Sequence, residues 1–232
     1  MKIKQVSENI WSIRSWMIWL VIPVQVWVVE EEDGVTLVDA GLPKMAKGIL
    51  GFIEQLNAGP LKRIVLTHGH ADHVGAVEHI VKGKEVPVFA HAKEIPYAEG
   101  KILYPKRKKL EQNLPNGLTQ SLYELAGELQ NVGSLKPVYT PGHSPGHVVY
   151  YHELDDVLLA GDLFTTRNGK LHQPMPMFTG DMKQATESGI SAINDIRPKL
   201  LEVCHGKTID NPFDGITTYI NQMEKTLKAK LN

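Results

Sequence analysis

Short apolar runs recur along this chain and alternate with stretches of amphipathic spacing. Residues 2–38 read as a series of short strands, and Asp33-Gly34 predicts a hairpin turn between Val26-Trp27-Val28-Val29 and Val35-Thr36-Leu37-Val38. An amphipathic helix is predicted at about 43–57. The β-branched run Ile64-Val65-Leu66 predicts a buried strand, and Val74, Val77, Ile80 and Val81 recur at helical spacing just after it. Val86-Pro87-Val88-Phe89-Ala90 is a further strand, which its proline assigns to a sheet edge. From Lys93 to Leu118 periodicity gives way to Pro, Gly and charge, the pattern of an inserted lid. Leu118 to Tyr139 reads either as a short helix or as a hairpin around Gly133. Strands follow at Val138-Tyr139-Thr140, Val157 to Gly161 and Leu200 to Cys204, with helices at 182–196 and 212–230. No internal repeat is visible, and residues 1–232 read as a single α/β domain of two halves, each a sheet followed by helices.

Composition narrows the class. A chain of 232 residues with 42% hydrophobic content can bury one substantial core. A net charge of −1 gives no bias toward nucleic acid or membrane surfaces, so a small-molecule partner is expected. The single cysteine excludes an intrachain disulfide. The apolar stretch from Trp16 to Val29 is broken by Pro23 and Gln25 and is too short to span a bilayer. Lys2 and Lys4 precede it, but Glu8 and Arg14 intervene and no small-residue cleavage site follows. A soluble cytoplasmic protein is expected.

The chemistry gathers where apolar runs end. Ile64-Val65-Leu66 leads into Thr67-His68-Gly69-His70-Ala71-Asp72-His73, with three imidazoles and a carboxylate in six residues. Val138-Tyr139-Thr140 leads into Pro141-Gly142-His143-Ser144-Pro145-Gly146-His147, the run at 157–161 into Asp162, and the run at 200–204 into His205-Gly206. Strand ends are where α/β proteins place their sites, and glycine beside a ligand lets backbone bend closely around an ion. Imidazole nitrogen and carboxylate oxygen suit zinc and divalent iron or manganese.

This pattern resembles the metallo-β-lactamase fold superfamily over nearly the whole chain. The resemblance implies an αββα sandwich and two divalent ions, zinc first and iron or manganese as alternatives. By the family's pattern His68, His70 and His143 would hold one ion, and Asp72, His73 and His205 the other, with Asp162 bridging. It implies hydrolysis of an ester, thioester or lactone by a hydroxide shared between the ions, with Asp72 passing a proton to the leaving group. His147 would be structural, and Asp39 would orient ligands; by local sequence alone Asp39 reads equally as a helix N-cap. Asp162 stands where β-lactamases proper usually carry Cys, His70 where flavodiiron oxygen reductases carry Glu, and Thr165 where many homoserine-lactone hydrolases carry Tyr. Glyoxalase II has a similar metal loop but binds glutathione through a C-terminal extension. The alternative is a mononuclear iron persulfide dioxygenase, with His68, His143 and Asp162 as its iron ligands. A non-catalytic scaffold is a third reading, set against by a ligand set that has lost no member.

Two stretches are candidate pocket walls, Trp16-Met17-Ile18-Trp19 and Pro174-Met175-Pro176-Met177-Phe178. The second predicts a preference for uncharged, moderately apolar acyl substrates over glutathione thioesters. The basic run Lys106-Arg107-Lys108-Lys109 reads as a solvated face. His79 is expected in solvent, His91 in a loop and His152 without a role, and Cys204 is expected to face away from His205 into the core.

Overall fold

The computed structural model describes residues 1–17 and 21–228. Seven strands form the first sheet: β1 (Lys2–Gln5), β2 (Ile10–Met17), β3 (Ile22–Glu31), β4 (Gly34–Val38), β5 (Leu61–Val65), β6 (Val88–Ala90) and β7 (Thr119–Ser121). They lie in sequence order, antiparallel from β1 to β4 and parallel from β4 to β7. The parallel crossovers carry α1 (Ala46–Leu56), α2 (Ala71–Val74), α3 (Val77–Val81) and α4 (Ile95–Ala98). A small hairpin, β8 (Glu124–Leu125) with β9 (Glu128–Leu129), precedes the second sheet. That sheet joins β10 (Leu135–Tyr139), β11 (Val148–His152), β12 (Val157–Leu159), β15 (Leu200–Glu202) and β16 (Ile209–Asp210) in that order. Between β12 and β15 come the ribbon β13 (Thr165–Arg167) and β14 (Lys170–His172) and helix α5 (Met182–Ile196). Helix α6 (Ile216–Lys228) follows β16. No described helix is long and apolar enough to cross a membrane.

Strand alternation builds the layers. Along β11 and β12, Val148, Tyr150, Val157 and Leu159 join the core shared with the first sheet and α1. Their neighbours Val149 and Leu158 turn to the other face, onto Ala192 and Ile193 of α5 and Tyr219 of α6. The order is helix, sheet, sheet, helix, as expected. Each large aliphatic side chain removed from water here contributes roughly 1.5–3 kcal/mol. Asp181 caps α5 by accepting from the Gln184 amide at 3.0 Å, and Arg197 ends the helix in the left-handed region. A buried polar link also ties the sheets together, since Gln25 and Trp27 of β3 both donate to the Glu202 carboxylate of β15.

Four expectations change. The hairpin loop is Glu32-Asp33, one residue early, because Gly34 already pairs with Glu31 and its φ of 135° suits only glycine. Strand β6 lies between β5 and β7 and is not an edge; Pro87 sits just before it and contributes only its carbonyl, accepting from the Ile64 amide at 2.9 Å. Of the two readings of residues 118–139 the hairpin around Gly133 holds: the segment forms β strands, reversing at Ala126-Gly127 and again at Gly133-Ser134. The helix predicted behind the metal loop is divided into α2 and α3, and the one from 212 opens as a 3-10 turn, Pro212–Gly215.

Candidate metal centre

The carboxyl ends of β5, β10, β12 and β15 open toward one point. His68 follows β5, His70 precedes α2, and Asp72 and His73 lie within its single turn. His143 lies in the loop between β10 and β11, Asp162 after β12 and His205 after β15. All seven residues predicted as ligands are brought together there. Nδ1 of His70 stands 2.9 Å from Nε2 of His68 and 3.1 Å from Nε2 of His143, one cluster of three nitrogens. Nε2 of His205 stands 3.2 Å from Asp72 Oδ2, and Asp72 lies 4.0 Å from Nε2 of His73. Asp162 lies between these groups: Oδ1 is 3.4 Å from His73 Nε2, and Oδ2 is 3.4 Å from His143 Nε2 and 3.3 Å from His205 Nε2.

The surrounding hydrogen bonds decide which nitrogen each imidazole presents. Asp39, at the end of β4 with φ of 58°, accepts from the Thr67 amide and hydroxyl, both at 2.8 Å, and lies 2.7 Å from His73 Nδ1. A carboxylate can only accept, so Nδ1 of His73 carries a proton and Nε2 is the nitrogen that faces the site. Having donated to Asp39, the Thr67 hydroxyl accepts from His68 Nδ1 at 3.1 Å. The Thr179 hydroxyl donates to the Met175 carbonyl and accepts from His143 Nδ1 at 3.1 Å. His205 Nδ1 donates to the Pro23 carbonyl at 2.7 Å. Asp39 caps no helix, because the following 3-10 turn begins at Pro43 after Leu42. His147 has both nitrogens engaged, with the Thr140 hydroxyl at 2.9 Å and the Asp162 amide at 3.3 Å, which is the structural position expected of it.

Two observations fit this site to divalent metal. First, among the described residues His73 Nε2, Asp162 Oδ1 and His205 Nε2 are buried with no hydrogen-bond partner, an arrangement that a bound ion would satisfy. Second, the charges are arranged for a cation. Burial holds His68 and His143 well below the usual imidazole range and His70 at about 4, so these are neutral donors at pH 7. Burial would also push Asp162 upward, but the facing His205 and His73 outweigh it and keep the carboxylate ionised. His73 and His205 are in turn held above their ordinary value despite burial, by Cys204 and Asp162 for His73 and by Asp162 first for His205. A group of acids that draws protons onto neighbouring imidazoles is equally a place for metal charge.

Cys204 is buried in the core, as expected, but does not face away from His205. Its thiol lies with the ligand atoms of Asp72, His73 and His205, all within 4.8 Å of one another. Strand β15 ends at Glu202, so alternation does not carry through the turn that follows. The buried residue that sequence reasoning missed is Glu94. Its carboxylate accepts from the Gly69 amide (2.9 Å) and Tyr104 hydroxyl (2.7 Å) on one oxygen, and from the Ser144 hydroxyl and Gly146 amide (both 2.8 Å) on the other. It clasps the two histidine-bearing loops to each other. The available signal was an acid in the loop after β6, as Asp39 and Asp162 are acids in the loops after β4 and β12.

A cavity of 510 Å³ opens onto His70, Asp72 and Asp162. Its walls include Met17, Leu42, Met175 and Phe178, and residues 107 and 111–113 of the segment predicted as a lid. Asn113 of that segment donates to the Gly69 carbonyl at 2.9 Å, which ties it to the histidine loop. Of the two predicted pocket walls, Ile18 and Trp19 lie outside the described residues, and Met177 is 73% exposed and off the cavity. His79 is exposed, as expected. His91 is buried and stacks on Tyr139 at 4.4 Å, and His152 is buried beside Asp155; neither belongs to the centre.

Comparison with known proteins agrees with this geometry. The family model described as metallo-beta-lactamase superfamily matches residues 19–228. A probable metallo-hydrolase, YybB of Bacillus subtilis (strain 168), is 37% identical over 90% of this chain and 93% of its own. The hydroxyacylglutathione hydrolase of Nitrosomonas eutropha is 27% identical over 89% of this chain and 72% of its own. Among solved structures, a metallo beta lactamase from Erythrobacter litoralis superposes with a TM-score of 0.75 at 17% identity, covering 96% of each chain. With the fold, the strand-end ligands and the family match in agreement, the chain belongs to the metallo-beta-lactamase superfamily.

Proposed function

We propose that this protein is a metal-dependent hydrolase of an ester, thioester or lactone, holding two divalent ions, with zinc the expected metal. The observation that carries the reading is Asp162, whose carboxylate lies between two ligand groups and leaves one buried oxygen without a partner. His68, His70 and His143 would hold one ion, Asp72, His73 and His205 the other, and Asp162 both. Such ions, when bound, supply a nucleophile from water at neutral pH and polarise a carbonyl.

The chain's own groups complete the chemistry. Asp72 is partly exposed in the cavity, and although burial raises its pKa, His73 first and then His205 bring the net shift below the ordinary carboxylate value. It is therefore ionised at neutral pH, able to take the proton of the attacking water and pass it to the departing oxygen or sulfur. Met175 and Phe178 give the acyl group an apolar wall, and the 107–113 segment narrows the opening as a lid would. An iron persulfide dioxygenase using only His68, His143 and Asp162 would leave the second group of Asp72, His73 and His205 without a task. Metal analysis of the purified protein, with a screen of ester, thioester and lactone substrates, separates these readings. Two ions per chain with ester, thioester or lactone cleavage supports the proposal; one iron with persulfide oxidation overturns it.

A further inference from the structure

Arg107 belongs to the basic run that the sequence places in solvent, yet it lines the cavity that opens onto His70, Asp72 and Asp162. Its side chain is only 24% exposed. The guanidinium lies over the Phe178 ring, 5.0 Å from its centroid, a cation–π contact with the apolar wall. Its backbone is held by the Tyr104 carbonyl (3.0 Å), and the adjacent Lys106 ammonium is held by the Thr179 carbonyl (2.8 Å), so the residue is seated between two anchored loops. Nε faces Glu111 at 3.4 Å, a long contact of the kind that contributes little. Among the described residues the two terminal nitrogens make no hydrogen bond.

We infer that Arg107 is a specificity-determining residue that receives an anionic group of the substrate, a carboxylate, across the cavity from the scissile carbonyl. A planar fork with two uncommitted ends, set over an aromatic ring and partly withdrawn from water, is suited to bidentate carboxylate recognition. The expected substrate is thereby revised from uncharged to one with an apolar body against Met175 and Phe178 and one anionic end. The substrate class rests on the hydrolase reading; the carboxylate site does not. The carboxylate can belong to the acyl part or to the leaving group, and the two are separable.

The test compares phenyl butanoate with phenyl hydrogen succinate, which carries the carboxylate on the acyl side, and with 4-carboxyphenyl butanoate, which carries it on the leaving group. Wild-type protein is expected to favour one of the carboxylate esters in kcat/KM. In Arg107→Met the ratio of that ester to phenyl butanoate should fall about 10- to 100-fold through KM, with Arg107→Lys intermediate because it keeps the charge and loses the fork. Glu111→Gln should raise the same ratio by removing a negative charge that lines the same cavity. No preference for either carboxylate ester, or a preference unchanged in Arg107→Met, overturns the inference. Calorimetric titration with succinate and with butanoate gives a readout free of turnover, since both can meet the metal centre and only succinate has a second carboxylate. Tighter succinate binding that is lost in Arg107→Met supports the site even if no ester is cleaved, which would overturn the hydrolase reading alone. Equal binding of the two acids overturns the site.

Discussion

Asp39 and His73 are both fully buried, and the Asp39 carboxylate lies 2.7 Å from Nδ1 of His73. Asp39 ends one strand and His73 sits in the helical turn after another, so the contact joins β4 to the loop beyond β5 and sets the direction in which His73 Nε2 points.

Asp39→Asn keeps the shape of this pair but offers His73 an amide in place of a carboxylate. The proton is then no longer drawn to Nδ1. Metal affinity of the Asp72–His73–His205 group should fall about 10- to 100-fold, and that of the His68–His70–His143 group by less, because Asp39 reaches His68 only through the Thr67 hydroxyl. Competition with a chromophoric chelator reads the two ions separately, and equal loss at both would contradict this division.

Asp162→Ala should remove one ion and abolish hydrolysis while leaving the fold intact, because the ligand lies past the end of β12 and outside its packed core. Circular dichroism and metal content decide the matter. Near-normal turnover with two bound ions would show that the dinuclear assignment is wrong.

Glu94→Ala should act on stability and on the centre together. It strips the Gly69 and Gly146 amides of their buried acceptor, at about 1–3 kcal/mol for each unsatisfied group. Gly146→Ala tests the same clasp from the other side, because a Cβ there would collide with the Glu94 amide nitrogen. Both variants should lower the denaturation midpoint and loosen the holding of metal by His143. A Glu94→Ala midpoint equal to wild type would rule out the clasp.

The metal-free protein should lose stability as pH falls from about 6.5. Burial holds His70 at about 4 and His147 at about 3, so each binds its proton more readily when unfolded. Their contribution is complete above the unfolded value and declines as pH drops toward the folded one, on the order of 3 kcal/mol for each group. Urea midpoints measured across pH 7 to 4 check the slope. His147→Gln should flatten it, and a slope unchanged in that variant would assign the effect elsewhere.

The apolar wall of the cavity is tested by a pair of substitutions. Met175→Asp should reduce kcat/KM for a butanoyl ester by about 10-fold or more, since it puts a charge where the acyl group rests. Met177→Asp should change little, because that side chain stands in solvent. Relative rates on a butanoyl ester and a lactoyl-glutathione thioester measure whether the wall selects the apolar acyl group. Equal losses from the two substitutions would misplace the wall.

By itself the sequence determined most of the longer strands and helices and named the seven candidate ligands, but not α4, β13, β14 or β16. Each ligand is announced locally, by an apolar run followed by His or Asp with glycine close by, and such signals survive without knowledge of partners. Only the tertiary structure decided which residues meet across the chain. Strand β6 became internal because β7 pairs along it, a long-range ladder that the proline signal could not register. Glu94 became the clasp because two loops from different sheets converge on its carboxylate. Cys204 turned toward the ligands because its strand ends before it, and Arg107 rather than Met177 faced the cavity because two anchored loops set their orientation. Hydropathy period records whether a side chain is buried; it carries no information on the neighbour it is buried against, and that neighbour is what gives a polar group its role.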